Sequence, residues 1–150
     1  MSDTLRTQRL ALVPLGPEHA DAYDERECSL AEEHWRAHGF GSWAVLLEGM
    51  FVGAAELHFA HPGVSGIATD EIETGWEIDK VHRGLGLATE AMSAAIEDVW
   101  TRARATHLVA YIRPGNAASH RVAAKLGFAV RGPGLTRSGD PMSVYELRAP

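Results

Sequence analysis

The chain has 150 residues, 45% of them hydrophobic and 23% charged, with a single cysteine and a formal net charge of -6. That length supports one soluble globular domain around a single core and is short for two, so residues 1–150 are expected to form one domain. The basic residues are scattered except toward the C-terminal half, which argues against the concentrated basic footprint that nucleic acid asks for, and no apolar run nears the roughly 20 residues that cross a bilayer. No nucleic-acid partner and no membrane are therefore expected. The opening MSDTLRTQRL carries no apolar segment behind its charges and does not read as a secretory signal, while a lone Cys28 has no internal disulfide partner. A cytoplasmic location is the expectation.

In chain order, Gln8 to Leu15 alternates apolar and polar residues before a Gly-Pro stop and predicts a half-buried first strand. Pro17 to His38 is helix-permissive, with Pro17 suited to a first turn and Gly39 to a stop. The run SWAVLLEGMFVGAAELHF predicts two strands joined at Glu48-Gly49, the signature of a hairpin. His61 to Asp70, rich in Gly, Pro and Ser, predicts a loop, and Glu71 to Lys80 a further strand. Gly86 to Thr101 keeps Leu87, Ala91, Ala94, Ala95 and Val99 near one face and predicts an amphipathic helix. THLVAYIRP reads as a strand, and Asn116 to Leu126 as a helix closed by Gly127 in a left-handed cap. Phe128 to Arg131 and Ser143 to Leu147 predict short strands around a glycine-rich loop. This order predicts a mixed α/β domain around one sheet.

One turn carries chemistry. A strand, then Arg83-Gly84-Leu85-Gly86-Leu87-Ala88, then a helix places unpaired backbone amides and the positive end of a helix dipole behind residues with little or no Cβ bulk. Such a turn binds phosphate; taken alone, it also reads as a tight strand-to-helix connection. The P-loop fails here because Gly86 is followed by Leu87 and Ala88, where Lys and Ser or Thr are required. The dinucleotide fingerprint fails because its third small residue comes one place early, past the middle of the chain.

Taken with RPGNAASHRVAAKLGF, Arg113 to Phe128, the stretch ETGWEIDKVHRGLGLATEA resembles the GNAT superfamily of acyl-CoA N-acyltransferases, and within it the branch holding the ribosomal-protein N-terminal acetyltransferases. Arg83-x-x-Gly86-x-Ala88 matches the loop that carries the coenzyme A pyrophosphate in that family. Asn116, Ser119, Lys125, Leu126, Gly127 and Phe128 match its N-x-x-S-x-x-x-x-x-K-L-G-F helix. Thr7 to Leu15 matches its first strand, and W-A-V with G-M-F-V-G-A-A-E-L its second and third. The resemblance implies a mostly antiparallel sheet of about six to seven strands flanked by helices and splayed between Glu73–Asp79 and His107–Ile112. It implies acetyl transfer from acetyl-CoA, as cosubstrate and without a metal, to the primary amine of a small molecule or a protein N-terminus. Pantetheine would meet backbone near Trp76, Glu77 and Ile78. Arg83, Gly84, Leu85, Gly86, Leu87, Ala88 and Thr89 would line the phosphates, with Asn116, Ser119 and Arg121 contributing from the later helix.

The reaction needs a base for the ammonium, a donor for the oxyanion and an acid for the departing thiolate. Glu73, in the family's E-x-G-Tyr/Trp position, is the first candidate base; Glu77 shares its strand face, and Glu56 and His58 sit on the preceding strand. For each, a solvated carboxylate or imidazole is the competing reading. The tyrosine that many members use as acid is Ala123 here. Ser119, the acid in some members of this branch, takes its place, and a plain helix-start serine is the alternative. Tyr111, Tyr145, Trp35, Trp43 and Trp100 read as packing residues, and His34 and His38, four apart, as a surface helix face with no third metal ligand. Arg113, Arg121 and Lys125 serve either the 3′-phosphate end of coenzyme A or solvent.

Only about two dozen residues fill the gap where the family usually has two helices along the acceptor site. The cleft is therefore expected to be more open than usual or completed by a second copy in a homodimer. Asp21, Asp24, Glu25, Glu27, Glu32 and Glu33 in this segment suit a cationic amine. Two other readings remain: a non-catalytic acyl-CoA-binding domain, and an interaction domain with a degenerate loop.

Overall fold

The computed structural model describes residues 4–150; Met1, Ser2 and Asp3, the start of the stretch read against a secretory signal, lie outside the described residues. The elements are β1 (Leu5–Arg6), β2 (Leu10–Pro14), α1 (Glu25–His38), β3 (Trp43–Leu47), β4 (Met50–Phe59), β5 (Ile72–Ile78), α2 (Leu87–Thr101), β6 (His107–Ile112), α3 (Ala117–Leu126), β7 (Ala129–Leu135) and β8 (Pro141–Arg148). The strands form an eight-stranded sheet in the order β1-β2-β3-β4-β5-β6-β8-β7. β5 and β6 run parallel, with Ile72 opposite Leu108 and Glu73 opposite Val109, and α2 supplies the crossover that a parallel pair requires. β1 with β2, β2 with β3, β3 with β4, β6 with β8 and β7 with β8 are antiparallel.

Four expectations are corrected. The sheet has eight strands rather than six to seven, because Leu5–Arg6 doubles back on β2 through the Thr7 turn. Pro17 to His38 is not one helix: Pro17–His19 forms a 3-10 turn, and α1 starts only after Asp24, whose carboxylate accepts the Glu27 amide as N-cap. The strand expected to reach Lys80 ends at Ile78, and Lys80–His82 turns as 3-10. β7 continues through Gly-Pro-Gly to Leu135; a register irregularity between Val130 and Gly132 lets the edge strand absorb residues that usually stop one.

The chain divides into two compact units, residues 4–58 with Trp76–Arg104, and Phe59–Gly75 with Ala105–Pro150. In the first, Leu15, Cys28, Ala31 and Ala44 pack with Val13, Tyr23 and Phe51 under α1. α2 buries Leu87, Ala91, Met92, Ala95, Ile96 and Val99, the apolar stripe of a helix lying on a core. Its first turn is fastened by Glu90, which accepts the Thr7 hydroxyl at 2.5 Å and, from Arg9, the amide at 2.9 Å and Nε at 2.8 Å. Glu48 and Gly49 both take positive φ, 50° and 78°, the geometry that lets β3 and β4 meet in a two-residue hairpin.

In the second unit, β6, β8 and β7 form an antiparallel group beside the start of β5. Asn116 caps α3 by accepting the Ser119 amide at 3.2 Å, and Gly127 closes the helix at φ 92°. The loop 61–70 is tied to β7: the Ser65 amide reaches the Leu135 carbonyl at 3.0 Å, and the Leu135 amide reaches Ser65 Oγ at 2.7 Å.

Candidate acyl-CoA and acceptor site

Within the first unit, the turn after β5 is built by backbone conformation. Gly84 and Gly86 have φ of 80° and 81°, the left-handed region that costs a residue with a Cβ about 1–2 kcal/mol. That is why two glycines stand two residues apart. A Cβ at Gly84 would meet nothing within 4 Å, so the space above it is open. Gly86 is the N-cap of α2, and the Glu90 amide is the first to bond back, to the Gly86 carbonyl at 3.1 Å. The amides of Leu87, Ala88 and Thr89 thus face the N-terminal end, where the helix dipole favours an anion. Leu87 buries its side chain, and Ala88 and Thr89 are half-buried. Arg83 donates its Nε to the Ile78 carbonyl at 2.8 Å, clamping the turn to the strand end that carries Trp76, Glu77 and Ile78. These residues fit a pyrophosphate: small side chains, directed amides and a cation.

Arg9, which sequence reasoning did not single out, brings a second cation. Its Nη2 lies 3.6 Å from where a Gly86 Cβ would be, while its Nε stays on Glu90. Burial works to raise the Glu90 pKa, but the hydrogen bonds from Thr7 and Arg9 prevail and hold it below the ordinary value. A contact between residues so far apart in sequence leaves no local pattern to read.

The same unit holds a cavity of about 640 Å³ whose lining includes Asp21, Tyr23, Asp24, Glu27 and Glu77. The Tyr23 hydroxyl donates to Glu56 at 2.7 Å, and its pKa is driven far above the ordinary 10, by burial first and then by Glu56 and Glu77. Of the acidic residues expected to gather an amine, Asp21, Asp24 and Glu27 line this cavity; Glu25, Glu32 and Glu33 are exposed elsewhere on α1. Tyr23 was missed because a single tyrosine in a polar segment carries no periodic signal.

In the second unit Glu73 is 9% exposed, one residue before Thr74, whose hydroxyl donates to the Val109 carbonyl at 3.0 Å. Two residues before it, Glu71 accepts Arg131 Nη1 at 2.9 Å and Nη2 at 2.6 Å, His107 Nε2 at 2.9 Å and the Ala68 amide at 2.9 Å. The Arg131 bonds, foremost, bring the Glu71 pKa down to about 2 against the opposing effect of burial. Glu71 is therefore an anchor for the start of β5.

Ser119 is half-buried in the first turn of α3, Asn116 is its cap, and Arg121 is exposed. Ala123 is fully buried, so this helix position has no room for the tyrosine of other family members. Tyr145, expected only to pack, meets His120 Nδ1 at 2.5 Å. His120 Nε2 lies 3.0 Å from the Arg113 carbonyl, which can only accept. In the neutral ring Nδ1 is then the acceptor, and Tyr145 donates to it. His34 and His38 have ring centroids 4.5 Å apart, and among the described residues no group of three or more His, Cys, Asp or Glu is arranged to hold a metal. No helix is long and apolar enough to cross a membrane among the described residues. Trp43 is core, and Trp35 meets it edge-on at 4.9 Å with Arg102 stacked 5.4 Å from its ring.

The sequence profile of the family described as Acetyltransferase (GNAT) domain matches residues 5–129. The structure is similar to that of a GnaT-family acetyltransferase from Bordetella pertussis, with TM-score 0.85 and 25% identity over 99% of this chain and 100% of that one. It is similar to an acetyltransferase from Agrobacterium tumefaciens, with TM-score 0.78 and 26% identity over 99% of this chain and 96% of that one. It shares its fold with Mycobacterium smegmatis RimJ, solved in complex with CoA-disulfide, with TM-score 0.76 and 18% identity over 98% and 88% of the two chains.

Proposed function

The chain belongs to the GNAT acetyltransferase family, and from that premise we propose that it is a single domain that moves the acetyl group of acetyl-CoA to a primary amine. Acetyl transfer itself follows from the family; the residue roles and the acceptor are our reading. The match running from residue 5 to residue 129 draws on both units, which supports treating them as one domain.

The observation that carries the reading is the turn at Gly84 and Gly86, open above Gly84 and backed by the first amides of α2 and by Arg83 and Arg9. Its anion-binding geometry suits the pyrophosphate of the acetyl donor. When bound, acetyl-CoA supplies an activated thioester; everything else falls to the protein. Glu73 takes a proton from the acceptor ammonium, which otherwise has no lone pair for attack. Ser119 gives its hydroxyl proton to the departing sulfur and regains one from the nitrogen, which sheds its extra proton as the amide forms, and the positive end of the α3 dipole favours the negative charge that collects there. The Asp21, Asp24, Glu27 and Glu77 side chains raise the local concentration of a cationic amine.

Glu73→Gln and Ser119→Ala test the roles. Turnover should drop about 10²- to 10⁴-fold for the base and by a smaller factor for the acid, with acetyl-CoA affinity unchanged in both. Unchanged turnover in Glu73→Gln would remove it as base and transfer the role to Glu77.

A further inference from the structure

The second unit contains another cavity, of about 580 Å³, whose lining includes His61, Val64, Tyr111, Thr136, Arg137 and Ser138. It lies between the loop 61–70 and the turn joining β7 to β8. Arg137 Nη2 donates to the Pro62 carbonyl at 2.7 Å. The guanidinium lies over Gly63, which has φ 97° and where a Cβ would fall 2.8 Å from Arg137 Nε. Glycine is what lets the two segments close on each other there. Its position held by the carbonyl, Arg137 has no carboxylate partner among the described residues. It shares this with Arg83, Arg113 and Arg121, whereas Arg9, Arg36, Arg102, Arg131 and Arg148 each have one. The nearby hydroxyls are already organised: Thr136 Oγ1 accepts the Asp140 amide at 3.0 Å, and Ser138 Oγ donates to Asp140 at 3.0 Å. Asp140 thus accepts the Ser138 hydroxyl and, among the described residues, makes no ion pair with Arg137. Arg137 is exposed and held through Nη2 by the one Pro62 carbonyl, and its guanidinium presents a planar fork that matches a carboxylate.

The register puts this cavity on the catalytic side of the unit. Val109 stands opposite Glu73, and Tyr111, two residues along β6, projects from the same face. The separation along the strand is about 7 Å. An acceptor whose amine reaches Glu73 would extend its other end past Tyr111.

We propose that this cavity is an acceptor subsite and that Arg137 reads a carboxylate on the amine substrate, so that the preferred acceptors are amino acids or peptides bearing an acid group rather than simple polyamines. The proposal rests on the acetyltransferase reading and on Glu73 marking the acceptor face. The test pairs binding with turnover. N-acetyl-L-amino acids, which mimic the product, and their carboxamides are titrated into the protein while the Arg137 Nε signal and the amides of residues 61–65 and 136–138 are followed by NMR. The acids should shift these signals and the amides should not; Arg137→Met, which keeps the aliphatic stem, should abolish the effect. Turnover of a panel of free L-amino acids against their carboxamides is then followed by release of the coenzyme A thiol. A preference for acids of about ten- to hundredfold, lost in Arg137→Met through KM with kcat kept, is expected for a charged hydrogen bond. Equal shifts from acids and amides, or no shifts, overturn the proposal. So does a loss of acetyl-CoA affinity in Arg137→Met that dephospho-CoA does not show, because the anion read would then be the 3′-phosphate. Failure of every amine to release thiol would count against the acetyltransferase reading instead, while the NMR titration would still judge the carboxylate site.

Discussion

Replacing Glu71 by Gln keeps the size of the side chain and an acceptor oxygen but removes the charge that Arg131 and His107 bind. In the folded chain the Glu71 pKa is about 2, below its ordinary 4.5. A carboxyl depressed in this way stabilises the fold above the unfolded value, and that stability is lost as pH falls through the folded one. The difference of about 2.5 units corresponds to roughly 3 kcal/mol at neutral pH, declining to about 1 kcal/mol at pH 3. The side chains of Glu71 and Arg131 are 12% and 27% exposed, so solvent screening trims these figures, and about 1–3 kcal/mol at pH 7 is the working range. Urea unfolding of the parent and Glu71→Gln at pH 7 and pH 3 measures this directly. The gap between the two proteins should narrow by more than half on acidification. An equal gap at both pH values would mean that the carboxylate charge is not what anchors the start of β5.

Gly53→Ala places a Cβ 2.0 Å from the Glu77 carbonyl oxygen and 3.0 Å from Ile78 Cα, both backbone atoms that cannot rotate aside. The expected cost is about 3 kcal/mol, seen as a Tm lower by roughly 6–12 °C; an unchanged Tm would refute that close approach. Asn116→Ala removes the cap of α3 and should cost about 1 kcal/mol, while Asn116→Asp keeps an accepting oxygen and restores most of it. Equal melting of the two variants would show that Asn116 matters for something other than the Ser119 amide.

Much of this architecture was legible where a residue type has one physical use. Gly39, Gly49 and Gly127 marked two helix ends and a hairpin because each takes a positive φ, and the Leu87 to Val99 stripe marked α2 because a buried helix face repeats every three to four residues. Leu5–Arg6 was missed because two residues carry no period. The break at Asp24 was missed because a capping aspartate inside an acidic segment looks like any other surface charge. The phosphate turn was readable because its chemistry is local. Arg9 over Gly86, Tyr23 on Glu56, Tyr145 on His120 and Arg137 over Gly63 were not, since each pair is joined by the fold and not by spacing.

The central claim is that the Gly84–Gly86 turn holds the phosphates of the acetyl donor. Calorimetric titration of acetyl-CoA into the parent and into Gly86→Glu tests it most directly, because the substitution sets a carboxylate against the α2 amides. Saturable one-to-one binding by the parent, with affinity reduced at least tenfold in a variant that melts cooperatively, is the predicted result. Equal binding by the two proteins, or none by a well-folded parent, would contradict the account and leave the two glycines as a tight turn.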